Sequence, residues 1–387
     1  MQTIRIQGLH AEAVIYTVDD PETAVEDYAL AQIRQLCDLE AAEGSVIRVM
    51  PDVHPGKGCV IGLTMTVTDK IMPNLVGVDI GCGVLAVGLG EGGLDFDKLD
   101  RVIAEKVPAG FARHKETRQY DDLDRLHCLR HVRRDAVLAS LGTLGGGNHF
   151  IEVAVNSQNP DEEPYLLIHS GSRSLGIDVC AHYLRRGQEE LKARGLDVPF
   201  ELTWLEGSLK DDYLEDMAVA QAYAAENRRC IAEAIARGMR WKPSGMFESV
   251  HNFVDADAPT PVVRKGAIAA YEGRPVVIPS NMRDGSVIGR GRGNPDWNHS
   301  APHGSGRTAS RSRAKEMATL AEFRKAMEGI HSPSVCRETL DEAPWAYRAQ
   351  ADVLEALRDT VEVTKMLRPV YNFKASGKAE GRRGRRK

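Results

Sequence analysis

The sequence predicts a single large domain of mixed α+β type. Three observations carry this. The first quarter is rich in short apolar runs of strand character, a long alanine-rich helix fills the middle, and strand-like runs resume after it. The chain shows neither an internal repeat nor a long linker. Its 387 residues therefore read as one body, although length alone suggests two or three domains of about 150 residues.

"TIRIQG", "EAVIYTV", "VIRVMPDV", "VIGLTMTV" and "LVGVDIGCGVLAVGL" supply the early strands, with one helical run in "YALAQIRQLCDLEAAEG". "PYLLIHSGS" reads as a strand leaving on a turn, followed by a helix from Ile177 to Arg194. The clearest helix runs from Asp211 to Met239, with Gly238 at its end. Strands return in "SVHNFVD", "VVRKGAIAAY" and "RPVVIPSNM". A last helix is expected from about Ala346 to Leu367, stopping before Pro369.

The chain is 42% hydrophobic and 27% charged, as soluble globular proteins are. No run of about 18 apolar residues suggests a membrane span, and the N-terminus lacks the pattern of a secretory signal. Seven cysteines stand singly, without a CxxC pair. That excludes a zinc ribbon or a disulfide framework and points to a reducing, cytoplasmic setting. The net charge is −5, yet the last fourteen residues, "KASGKAEGRRGRRK", hold seven Lys or Arg and one Glu. The expected layout is a catalytic body over 1–374 and a basic, disordered tail over 375–387. Such a tail suits polyanions, and equally plain solvation. The remainder is acidic, so any nucleic-acid site has to be a local basic patch.

The apolar stretch "NLVGVDIGCGVLAVG" sets Asp79 and Cys82 three residues apart among glycines. On a straight strand the two would face opposite ways; the glycines let the backbone turn so that both converge. His54, His149, His169, His251 and His303 each lie at the edge of an apolar or glycine-rich segment. One such histidine is usually a satisfied polar residue, and one such cysteine a small hydrophobe. Together with Asp-x-x-Cys, five histidines form a mixed O, S and N donor set for a transition metal.

"GTLGGGNHF", "HPGKG" and "IGRGRGN" are glycine-rich loops able to offer backbone N–H groups to phosphate. "GLGEGG" matches GxGxxG only formally. The P-loop pattern is absent, as is the KxDG motif of ligases that use a lysine nucleophile. In "HGSGRTASRSRAK", Arg307, Arg311, Arg313 and Lys315 follow His303, joining a candidate nucleophile to candidate anion clamps. A solvated basic helix face explains those cations equally well.

Taken in order, "PDVHPGKG", "VGVDIGCG", "GTLGGGNHFIEV", "IHSGSRSLG", "VHNF", "VRKGAI", "APHGSGRTASR", "DEAPWAYR" and "LRPVYNFKA" resemble the RtcB family of GTP-dependent RNA ligases, from residue 51 to 375. The resemblance implies an RtcB-like fold, with strands around a central metal and nucleotide cleft and helices at the periphery. It implies that RNA 3'-phosphate or 2',3'-cyclic phosphate ends are joined to 5'-hydroxyl ends. A histidine–GMP intermediate and an RNA end activated as RNA-ppG would carry the reaction, with GTP as co-substrate and two Mn²⁺ ions. Asp79, Cys82, His149, His169 and His251 match the metal ligands, His303 the guanylylated histidine, and Asp52 an acidic residue that orients it. Asn148, Phe150, Glu152, Ser286, Tyr347 and Lys374 match positions around the guanylate, Lys374 reading the base.

Departures fall near the nucleotide: "PSNM" stands where the family has "PGSM", so Asn281 replaces a serine, and Ser305 gives "HGSGR" for "HGAGR". Two other readings share most of these residues. One is a metal-dependent guanylyltransferase or phosphoesterase acting on RNA ends without sealing them; the other is a non-catalytic RNA-binding relative.

Overall fold

The computed structural model describes residues 1–18, 25–90, 92–256 and 258–376. Most of the basic tail, from 377 onward, lies outside the described residues.

Alternating apolar residues build two larger sheets among the described residues. The first orders its strands Gln2–Gln7, Glu12–Thr17, Ile47–His54, Ile61–Thr66, Val262–Lys265 and Asn252–Asp255. Its parallel pair, Glu12–Thr17 with Ile47–His54, needs a crossover, and the helix Asp27–Cys37 lies within it. The second sheet is antiparallel throughout. It runs Gly245–Val250, Gly83–Gly88, Tyr165–Ser170, Phe150–Asn156, Val361–Phe373, Gly285–Gly291 and Pro275–Asn281.

The helix Gly207–Met239, about 50 Å long at 1.5 Å per residue, joins the two cores. Tyr213, Met217, Ala220 and Tyr223 pack with apolar residues of the first sheet. One helical face further on, Ile231, Ile235 and Met239 pack with Leu85, Ile151 and Ile168 of the second. The helix begins four residues before the sequence suggests. It stops at Arg240 in the left-handed region, φ 65°, not at Gly238, which stays inside the last turn. The preceding helix spans Ser174–Ala193.

Two expectations are corrected. In place of one helix over 346–367, a short helix Gln350–Leu357 is followed by the strand Val361–Phe373. That strand is paired on both sides, and its ladder outweighs local helix preference. Pro369 is tolerated because the register shifts between Pro369 and Tyr371. "IGRGRGN" is not a phosphate loop at its start: Gly285–Gly291 is a strand. Gly289 serves close packing there, since a Cβ would lie 2.5 Å from the Glu362 carbonyl.

The sheets meet at His251. It is the single residue between Gly245–Val250 of the second sheet and Asn252–Asp255 of the first. His54, Gly83, Phe150 and His169 lie at or next to strand ends nearby. None of the helices among the described residues is long and apolar enough to cross a membrane.

Candidate metal centre and nucleotide pocket

The backbone of Asn74–Gly88 turns as its glycines allow. After the 3₁₀ turn Pro73–Leu75, Gly81 takes φ 70°, Cys82 N–H donates to the Asp79 carbonyl at 3.1 Å, and the strand begins at Gly83. Asp79 and Cys82 thereby face the same histidine, His149. Gly171 leaves the room: a Cβ there would sit 2.1 Å from Asp79 Oδ1.

His149 Nδ1 donates to the Leu144 carbonyl at 2.9 Å, so its Nε2 carries the lone pair when the ring is neutral. That Nε2 lies 3.0 Å from Asp79 Oδ2 and 3.4 Å from Cys82 Sγ. His169 Nδ1 donates to the Asn148 carbonyl at 3.1 Å, and its Nε2 faces Cys82 Sγ at 3.2 Å and His251 Nε2 at 3.3 Å. The sulfur thus stands between one Asp–His group and one His–His group. Both pinned rings aim a lone pair at further acceptors. This arrangement needs a proton or a cation to relieve it, and backbone-anchored imidazoles of this kind are what metal sites use. Cys82, His149 and His169 offer donor atoms within 4.8 Å of one another. The donor set fits a divalent transition metal.

Burial, reinforced by the neighbouring imidazoles, holds His169 and His251 well below the ordinary histidine range, so both are neutral. Burial also pushes the Cys82 thiol far up, as does Asp79; a bound cation would reverse that. For Asp79 burial acts upward, but His149 holds the carboxyl well below the usual range.

The long helix braces this arrangement from behind with two buried polar residues that sequence reasoning missed. Asn227 Oδ1 accepts from the N–H groups of Gly142 (2.7 Å) and Thr143 (3.0 Å), and its Nδ2 donates to the Gly171 carbonyl at 3.2 Å. Arg228 Nη1 donates to the carbonyls of Gly81 (2.7 Å) and Ser170 (2.8 Å), each next to a candidate ligand. Its Nη2 pairs with Glu248 Oε2 at 2.7 Å. The signal was present as an Asn–Arg pair on the apolar face of an alanine-rich helix.

His303 follows the strand Ser300–Pro302, and its ring centroid lies 4.9 Å from that of His251. Its Nδ1 is 2.7 Å from Asp52 Oδ2, at ion-pair distance, although the ring angle does not align it for a hydrogen bond. The His303 backbone N–H donates to the same oxygen at 3.2 Å. His54 stays outside the ligand group: its Nδ1 donates to the Asp52 carbonyl at 3.0 Å.

A cavity of about 440 Å³ opens over His169, His251 and His303, and Asn148, Phe150, Glu152, Tyr347 and Lys374 line it. The Lys374 ammonium lies 5.4 Å from the Phe150 ring centroid and donates to the Asn148 carbonyl (3.2 Å) and Glu342 Oε2 (2.9 Å). Burial pushes the Glu152 carboxyl up to about 8, and the Asn372 amide donates to it at 2.8 Å. Ser286 does not line this cavity: its neighbour Gly285 does, and the Ser286 hydroxyl is buried behind. Asn281 is occupied with its own turn, accepting from the N–H groups of Arg283 and Asp284.

Glu342, inside the quoted "DEAPWAYR" but not singled out, is the hub of this wall. It accepts from Tyr347 Oη at 2.6 Å and pairs with Arg311 at 2.7 Å, Arg307 at 3.4 Å and Lys374. Arg307 and Arg311 are therefore tied to internal carboxylates, not free clamps as their spacing suggested.

Comparison with known proteins agrees with these motifs. Residues 32–137 and 128–375 match the family described as tRNA-splicing ligase RtcB. The RNA-splicing ligase RtcB of Escherichia coli is 31% identical over 372 residues, covering 85% of this chain and 90% of that protein. The tRNA-splicing ligases RtcB of Nanoarchaeum equitans and Aeropyrum pernix are each 29% identical over 433 residues. Both alignments take in 88% of this chain, with 89% and 90% of the relatives.

Proposed function

Because the chain belongs to the RtcB family of RNA-splicing ligases, we propose that it joins RNA 3'-phosphate or 2',3'-cyclic phosphate ends to 5'-hydroxyl ends, using GTP and two Mn²⁺ ions. The observation that carries this reading is His303, set with its Nδ1 against Asp52 in the cavity that His169 and His251 also line.

With Nδ1 held toward the carboxylate, Nε2 is the nitrogen left to attack. Its lone pair forms a P–N bond to the α-phosphorus of GTP while the bond to pyrophosphate breaks. Asp52 stabilises the ring as positive charge develops on it. The RNA 3'-phosphate then takes GMP from His303, and the 5'-hydroxyl attacks the activated end, expelling GMP.

Asp79, Cys82, His149, His169 and His251 would hold the metal, Cys82 standing between the two groups. Bound ions supply positive charge to phosphoryl oxygens at each transfer. Manganese rests on the family resemblance; by softness alone zinc suits these donors well, and zinc is expected to inhibit.

Asn148, Phe150, Glu152, Tyr347 and Lys374 are proposed around the guanylate. The Lys374 ammonium, a pure donor, suits the acceptor oxygen of guanine and opposes the amino group of adenine. A single catalytic body over 1–374, a basic tail over 375–387 and a cytoplasmic setting complete the proposal.

The test is incubation with α-labelled GTP and Mn²⁺, followed by denaturation. Acid-labile label on the chain, absent in His303→Ala although that variant keeps its metal, is the expected result. A wild-type chain with metal bound and no label overturns the reading.

A further inference from the structure

One wall of the nucleotide cavity is a square of four side chains on two paired strands. Glu152 and Asn372 stand opposite each other in the register of Phe150–Asn156 with Val361–Phe373. Residues two apart on a strand share a face. Phe150 therefore lies beside Glu152, and Lys374, just past the strand end, beside Asn372. Contacts across the strands join the square. Asn372 Nδ2 donates to Glu152 Oε2 at 2.8 Å, and the Lys374 ammonium lies 5.4 Å from the Phe150 ring centroid. All four residues line the cavity.

Two oxygens of this wall are left over. Asn372 is 1% exposed and Glu152 2%. Yet Asn372 Oδ1 and Glu152 Oε1 have no hydrogen-bond partner among the described residues. A buried polar atom without a partner is costly. Glu152 and Lys374 already have a place around the guanylate, whereas Asn372 has none. Its Nδ2 is engaged by Glu152, so Oδ1 is the free end of the amide. An amide oxygen is an acceptor only, at any pH.

Along the strand the wall runs from a donor to acceptors. Lys374 spends two of its three N–H groups on the Asn148 carbonyl and Glu342 Oε2, which leaves one. Two residues back stand the orphaned oxygens of Asn372 and Glu152. One edge of guanine carries the complementary order: the O6 acceptor, then N1–H, then the 2-amino group. Adenine has a donor in the first position, and hypoxanthine lacks the last.

We propose that Asn372 is a specificity residue whose Oδ1 accepts a hydrogen bond from the 2-amino group of bound guanine. Glu152 Oε1 then serves N1–H, and Lys374 serves O6. The proposal rests on the reading of this cavity as the guanylate site. It adds the residue that separates guanine from hypoxanthine.

The test titrates the full chain with GMP and with IMP, which differ only at that amino group. Wild type should bind GMP about 10-fold more tightly than IMP. In Asn372→Ala and Asn372→Leu the ratio should fall to near one, whereas damage to the fold weakens both nucleotides alike. Adding Asn372→Ala to Glu152→Gln should lower the ratio again. No further fall there assigns the amine to Glu152 and overturns the proposal. So does a wild-type ratio near one, an unchanged ratio in both single Asn372 variants, or a chain that binds neither nucleotide. GMP labelling of the chain by GTP, measured separately, reports on the ligase reading alone. A chain that is labelled without preferring GMP to IMP fails this proposal only. One that prefers GMP without becoming labelled fails the ligase reading only.

Discussion

Asp52 Oδ2 lies 2.7 Å from His303 Nδ1 and accepts from the His303 backbone N–H at 3.2 Å. One carboxylate oxygen therefore holds the main chain of the proposed nucleophile by a hydrogen bond and faces its ring at ion-pair distance. Asp52→Asn keeps the volume and removes the charge. The rate of GMP labelling at saturating GTP should fall by about 100-fold or more, with bound metal unchanged. An undiminished rate would take Asp52 out of the mechanism.

Cys82 Sγ is the atom shared by both halves of the cluster, 3.4 Å from His149 Nε2 and 3.2 Å from His169 Nε2. In Cys82→Ala, elemental analysis of the dialysed protein should show a marked loss of metal per chain. His303→Ala, outside the cluster, should retain it. Full metal content in Cys82→Ala would show that the sulfur is not a ligand.

Arg228 is fully buried and holds the carbonyls next to Cys82 and His169. Arg228→Met strands two carbonyls and the Glu248 carboxylate, and should lower unfolding stability by about 2–5 kcal/mol and loosen metal binding. Arg228→Lys should restore only part of both, because an ammonium cannot span the three acceptors. Denaturant titration with and without metal measures the two effects; a neutral Arg228→Met would contradict the bracing role.

The Glu152 carboxyl, ordinarily near 4.5, is pushed up to about 8 by burial. Between those values the unfolded chain has released its proton while the folded chain keeps it. Its contribution is therefore complete below about pH 4.5 and is lost as pH rises through about 8. Glu152→Gln should flatten the decline in melting temperature across that window. An identical slope in the variant would assign the decline to other groups.

The donor types were legible in the sequence because short-range chemistry wrote them. Glycines around Asp79 and Cys82 announced a turn in an apolar run, and each histidine marked the end of an apolar or glycine-rich segment. The long helix was legible for the same local reason, its apolar spacing at helical period.

Local preference failed where pairing partners lay far away. Val361–Phe373 is a strand because Phe150–Asn156 and Gly285–Gly291 flank it, and no window of the sequence contains that ladder. Arg307 and Arg311 looked like free cations until Glu342, more than thirty residues on, was folded against them.

The sequence by itself determined which residue types exist to do chemistry and, through the ordered motifs, the family. Only the tertiary structure decided which of them meet. Asp52 faces His303 and Arg228 braces both ligand-bearing turns, because the long helix packs against both cores and the two sheets meet at His251. Convergence is a property of packed elements, each burying its apolar face against another, and packing is settled by the whole chain at once.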